Sequence, residues 1–197
     1  MLVTFSLIAI NCIISYFAYK AFETNDRIDR FLFRPYALSR GKNFPGVFLS
    51  QFSHSGFFHF LFNMTTLYYF GPVVEKLGGP MVLLIIYIFS GIASTVYPYY
   101  RHKDNIYYQA LGASGCISGV LLSAIVFYPG MKIYFFFIPV PIPGPLFAVL
   151  YLLISFFLME DEGSIAHDAH LAGALAGFLL GGIFSPKGFK GFLHFFF

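Results

Sequence analysis

The sequence predicts an all-α polytopic membrane protein, a single bundle of six transmembrane helices over its 197 residues. Three observations predict this. Hydrophobic residues make up 58% of the chain and charged residues 11%, against about 25% charge in soluble domains. Mean hydropathy is +0.74. Apolar runs recur along the chain, separated by helix breakers and short polar stretches. Hydrocarbon cannot bond an exposed backbone amide, so such runs are read as helices. No repeat and no low-complexity linker divides the chain. Several spans of about 20 residues leave no length for a second globular domain, so residues 1–197 are read as one domain.

The first span is expected over 2–19. It lacks a basic flank and a small-residue cleavage site, so it reads as a retained span rather than a signal peptide. Residues 20–53 hold most of the charge together with the apolar pieces Phe31-Leu32-Phe33 and Val47-Phe48-Leu49, which suggests a structured loop at the membrane interface. The second span, 55–74, runs out at Glu75-Lys76-Leu77-Gly78-Gly79. The third, 80–100, carries Tyr97, Tyr99 and Tyr100 as interfacial anchors. The fourth is expected over 110–128. Pro139, Pro141, Pro143, Gly144 and Pro145 then forbid a regular helix, so the fifth is placed at 146–159. An acidic loop, Glu160-Asp161-Glu162-Gly163, leads to the sixth at 166–184, and a basic, aromatic tail closes the chain at the interface.

A formal charge of +3 with basic residues scattered through loops gives no nucleic-acid stripe. Cys12 and Cys116 lie in apolar runs and read as packing residues rather than a disulfide. Nothing in the sequence implies a cofactor.

Ionisable groups at membrane depth are costly and tend to mark function. His59 and Asn63, four apart, share one face of the second span. His167 and His170, three apart, share a face of the sixth. Asp168 lies two residues before His170, about 200° around the helix, so it is not expected to orient that imidazole. Glu75 lies about 18 Å along the helix from Asn63 and reads as structural, as do His54 and His167. The fourth span opens with Gly112-Ala113-Ser114-Gly115 and continues with Gly119 and Ser123. The sixth carries Gly173, Gly177 and Gly181. These four-residue ridges let two helices approach closely, which would bring the Ser114 hydroxyl within reach of His170, the relation of a nucleophile to its base. His59, Asn63 and a backbone N–H near Ser114 could donate to a developing oxyanion.

Taken together, His59-x-x-x-Asn63, Gly112-Ala113-Ser114-Gly115 and Ala169-His170-Leu171-Ala172-Gly173 with Gly177, each on its own apolar run, resemble the motifs of the rhomboid intramembrane serine proteases. Gly71 through Glu75-Lys76-Leu77-Gly78 matches the family's pattern at the end of the second span. The resemblance implies a six-transmembrane-helix rhomboid-like bundle with Ser114 as nucleophile, His170 as general base without a carboxylate, and His59 and Asn63 lining the oxyanion hole. It implies a water-filled cavity open to the extracytoplasmic side and transmembrane protein substrates met in the lipid bilayer. A prokaryotic plasma (inner) membrane is the expected location.

Two positions depart from the family. Pro45-Gly46 stand where many members carry Trp-Arg in the first loop. Ser118 stands where many have an aromatic packed on the catalytic histidine; another Phe or Tyr then supports His170, or the imidazole is held less firmly. The charge count also runs against the family's orientation: with the N-terminus inside, Lys76, Lys132, Lys187 and Lys190 fall inside, while eight Lys and Arg between Lys20 and Lys103 fall outside. The motifs are the more specific signal. Two competing readings remain: a non-catalytic rhomboid-like protein that binds membrane clients, and a metal site built from His54, His59, His167 and His170. The first usually lacks the Ser or the His; the second lacks an HExxH pattern. The oligomeric state is not legible.

Overall fold

Chain breakers set the element order. The computed structural model describes residues 1–135, 138–159 and 166–197, and is mostly helical. Helix α1 (Leu2–Thr24) ends where Asn25 turns left-handed at φ 55°. Two short helices, α2 (Pro35–Leu38) and α3 (Phe44–Leu49), each with a proline in its first two residues, follow in the first loop. Helix α4 (Phe57–Gly78) stops at Gly79, whose φ of 97° favours glycine, and Pro80 starts α5 (Pro80–His102) directly. Helices α6 (Ser114–Phe127), α7 (Gly144–Phe157), α8 (His167–Phe184) and the short α9 (Lys190–Leu193) complete the helical set.

Helices α1, α4, α5, α6, α7 and α8 lie over the six apolar runs, with boundaries shifted by a few residues. The fourth shifts most: residues 110–112 precede the helix, Ala113 caps it, and the helix begins at Ser114 itself. By length and apolarity, α1 and α5 are long and apolar enough to cross a membrane; α6 and α7 are shorter apolar helices. The polar and small residues of α4 and α8 lower their apolarity. The stretch Glu160-Asp161-Glu162-Gly163 lies outside the described residues.

The expectation of a purely helical chain needs one correction. Strands β1 (Lys132–Phe135) and β2 (Ile138–Pro143) form an antiparallel ribbon, with Ile133 opposite Ile142 and Lys132 opposite Pro143. The prolines do forbid a helix here. A two-stranded ribbon tolerates them because every second N–H points away from the partner strand.

Helix α6 is the central element: residues 115–126 are all buried. It packs on α4, α5 and α8, its contact with α8 being the most extensive between any two described elements. Buried Leu67, Val74, Leu83, Ile86, Val120, Leu122 and Ile125 form the core around it. Helix α1 lies outside this group against α4 and α5. It is tied down by Glu75, whose carboxylate accepts the N–H groups of Val3 and Thr4 at 3.0 and 2.9 Å and the Thr4 hydroxyl at 2.6 Å. A helix cannot satisfy its own first N–H groups, so Glu75 acts as a cap supplied by a neighbour. This agrees with the structural role expected for it. Glu75→Ala is expected to cost about 1.5–3 kcal/mol, the range for hydrogen bonds to a charged group, read as a lowered unfolding midpoint in detergent.

The first loop is structured, as expected. Arg34 pairs with Asp29 at 2.6 Å and donates to Gln109 at 3.1 Å, and Asn43 donates to the Leu32 carbonyl at 2.9 Å. At Pro45-Gly46 the chain makes a close backbone approach. A Cβ on Gly46 would collide with the Leu32 carbonyl and the Asn43 side chain.

Candidate active site

The segment that delivers Ser114 is held from both sides. Phe33 and Ala110 form a backbone bridge, with N–H···O distances of 2.8 and 3.0 Å. Gly112 donates its N–H to the Ser50 carbonyl at 2.8 Å. Gly112 has φ 136°, which disfavours side chains, and a Cβ there would stand 2.9 Å from His59 Nε2 and 3.3 Å from Ser114 Oγ. The glycine therefore serves both backbone conformation and space. It also shows that His59 Nε2 and Ser114 Oγ flank one small volume. Ser114 is the first residue of α6, where the backbone N–H groups have no partner within the helix.

The small-residue ridges of α6 and α8 pack against each other. A Cβ on Gly173 would strike the backbone of Gly115, one on Gly177 the backbone of Gly119, and one on Gly181 would come within 2.8 Å of Ser123 Cα. Gly115 and Gly119 also face Ser94 and Ser90 of α5, again without room for a Cβ. With α6 and α8 in backbone contact, Ser114 Oγ lies 2.5 Å from His170 Nε2.

His59 and Asn63 line the same cavity as Ser114, Gly115 and His170, a space of about 770 Å³. Ser55 Oγ lies 3.0 Å from His59 Nδ1. When Ser55 donates, the ring proton sits on Nε2, toward Ser114. Asn63 is buried, and its amide Nδ2 has no hydrogen-bond partner. A buried donor left unpaired is costly, and this one belongs to a residue that lines the cavity. The four candidate residues are thus brought together from α4, α6 and α8.

The other polar residues border this group but bond elsewhere or only through ring contacts. His54 lies before α4, with Nδ1 2.7 Å from Ser15 Oγ. Burial, with His59 nearby, presses its imidazole down to about 3, so it stays neutral, which suits a structural role. His167 sets its ring 6.2 Å from that of His170, edge to face. Asp168 points away from His170 and meets His102 at 2.8 Å. Among the described residues, no three His, Cys, Asp or Glu side chains are grouped to hold a metal ion. Cys12 and Cys116 are free thiols.

At Ser118, where the resemblance leads to an aromatic, the structure shows a contact that sequence reasoning missed. Ser118, one turn below Ser114, meets the Tyr151 hydroxyl of α7 at 2.6 Å. The phenol thus comes from another helix, and no local spacing signals it. Gln51 was missed as well. Its amide bonds Thr95 and the Gly91 carbonyl, and its oxygen takes Ser94 and Cys116 at 3.4 Å, fastening the first loop to α5 and α6 beside the site. An uncharged Gln in a loop carries no pattern.

This geometry falls within a match to the Rhomboid domain family over residues 42–187. The chain belongs to the rhomboid family. It is 31% identical over 149 residues to RHOMBOID-like protein 12, mitochondrial, of Arabidopsis thaliana, covering 64% of this chain and 42% of that protein. It is 31% identical over 138 residues to Rhomboid protein 1, mitochondrial, of Saccharomyces cerevisiae, covering 67% and 39%. To Rhomboid protease AarA of Providencia stuartii it is 28% identical over 153 residues, covering 67% and 53%. The chain therefore spans about two-fifths to half of the length of these relatives. The family is membrane-associated. Two of these rhomboid relatives are mitochondrial by name, so the expected prokaryotic plasma membrane is not supported.

Proposed function

We propose that this rhomboid protein is an intramembrane serine endopeptidase that cleaves transmembrane segments of membrane-protein substrates. Residues 1–197 act as one domain with α1, α4, α5, α6, α7 and α8 as its six spans. The observation that carries the reading is the 2.5 Å contact between Ser114 Oγ and His170 Nε2 inside the cavity. The name of the Providencia stuartii relative, a rhomboid protease, supports it.

His170 accepts the Ser114 proton as Oγ attacks the scissile carbonyl of an unwound substrate segment. The tetrahedral oxyanion collects hydrogen bonds from His59 Nε2–H, Asn63 Nδ2 and the first N–H groups of α6. His170 then hands its proton to the leaving amine, and water resolves the acyl-enzyme by the same route in reverse. Substrate reaches the site laterally. Helix α7 packs on α6 and α8, with no comparable contact to α4 among the described residues. Entry is placed between α4 and α7, with α7 as the moving part.

The test is covalent labelling with a serine-directed mechanism-based inhibitor. Wild-type protein is expected to label at Ser114, while Ser114→Ala and His170→Ala do not. Absence of labelling in folded wild type, together with retained binding of a transmembrane client, would establish the binding-only reading. Asn63→Ala removes one oxyanion donor and is expected to lower kcat on the order of 10²-fold, as for a comparable donor in soluble serine proteases. A kcat within threefold of wild type would remove Asn63 from the oxyanion hole.

A further inference from the structure

We propose that Asp168 is a positioning residue that ties the helix bearing His170 to the segment delivering Ser114, through His102 and Tyr108. The proposal rests on the proteolytic reading of the Ser114–His170 pair. Asp168 is the second residue of α8 and is 3% exposed, so its carboxylate must be satisfied within the protein. Oδ2 meets His102 Nε2 at 2.8 Å, and Oδ1 accepts the Tyr108 hydroxyl at 3.3 Å and the Ala169 N–H at 2.8 Å. A carboxylate in the first turn of a helix is also favoured by the helix dipole.

The partners' positions give the contact its meaning. His102 is the last residue of α5, and Tyr108 lies in the connection that runs on to Ser114. Their rings are stacked, with centroids 3.8 Å apart and planes 8° from parallel. Farther along, that connection is pinned by the Phe33–Ala110 bridge and by the Gly112 N–H on Ser50. Asp168, His102 and Tyr108 all line the cavity that holds Ser114 and His170. One carboxylate therefore links the chain that carries the nucleophile to the helix that carries the base. Asp168 faces away from His170, so its action passes through the backbone of α8. Productive geometry tolerates displacements of only about 0.5 Å, and the first turn of a helix is the part that frays most easily.

The experiment compares Asp168→Ala, Asp168→Asn, His102→Leu and His102→Gln, by kinetics on a model transmembrane substrate and by hydrogen exchange of amides 107–112 and 167–171. Asp168→Ala and His102→Leu are each expected to lower kcat about tenfold with KM within twofold, and to raise exchange in both segments. The double variant is expected to be no worse than either single one, as for two residues acting through one contact. His102→Gln keeps an N–H donor and is expected to stay within threefold of wild type. Asp168→Asn keeps shape and an acceptor, falls between the two, and serves if Asp168→Ala does not fold. Unchanged exchange would overturn the tether. Raised exchange with unchanged kcat, or a loss carried by KM alone, would overturn the positioning role. If wild-type protein shows no Ser114-dependent turnover, the proteolytic reading fails and the catalytic role of Asp168 with it, while exchange reports the tether separately.

Discussion

Ser114→Ala is expected to lower turnover of a transmembrane substrate by at least about 10⁴-fold, the scale on which a nucleophile acting as a unit with its base is lost. Folding should barely change. The substitution removes one hydroxyl whose bond goes to His170, a net contribution of about 1 kcal/mol. It leaves in place the Phe33–Ala110 bridge and the Gly112 N–H bond that hold the preceding segment. The unfolding midpoint in detergent should therefore shift by no more than a few degrees. This separation of rate from stability gives the prediction its force. Turnover surviving in Ser114→Ala would mean that another nucleophile or a bound water does the chemistry. Loss of turnover accompanied by unfolding would make Ser114 a packing residue.

The parts of the site legible in the sequence follow helical periodicity. His59 and Asn63 share a face because they are four apart. The pairing of Gly173, Gly177 and Gly181 with Gly115, Gly119 and Ser123 follows because small residues four apart leave a groove. Such relations need only the 3.6-residue turn, and packing the two ridges together brings Ser114 within reach of His170. The orientation of Asp168 away from His170 was legible for the same reason.

What stayed hidden is non-local. The bonds of Gln51 reach residues 40 to 65 positions away, and Ser118 finds its phenol 33 residues on. The ribbon of β1 and β2 was hidden differently. Alternating prolines read as a broken loop, because the cost of a missing N–H depends on which side of the strand has a partner. The start of α6 was misplaced by four residues for a related reason. Hydropathy counts Ala110 and Leu111 as membrane-like, whereas the bridge to Phe33 and the positive φ of Gly112 hold them extended. Apolarity alone could not have shown that α6 begins on the nucleophile.

The ridge contacts carry the second large expectation. Gly177→Ala adds a single methyl group, yet at that position the methyl would meet the backbone Cα, carbonyl carbon and oxygen of Gly119. Backbone atoms at a helix–helix contact cannot step aside as a flexible side chain can, so α6 and α8 must separate or rotate. Overpacking of this kind costs about 1–3 kcal/mol where side chains can relax; a backbone collision should sit at or above the top of that range. Activity should fall by at least about tenfold, although Gly177 lies two helical turns from His170 and touches no proposed catalytic group, since misplacement by about 1 Å is enough to lose on the order of 10²-fold in rate. Gly56→Ala is the matched control. Gly56 has extended backbone at φ −178° and open space where a Cβ would point, so its stability change should stay within about 0.5 kcal/mol. Equal effects from the two substitutions, read by unfolding in detergent and by substrate cleavage, would mean that glycine at the α6–α8 contact serves flexibility rather than approach. A large effect at Gly177 alone would tie the Ser114–His170 distance to the backbone contact beneath it.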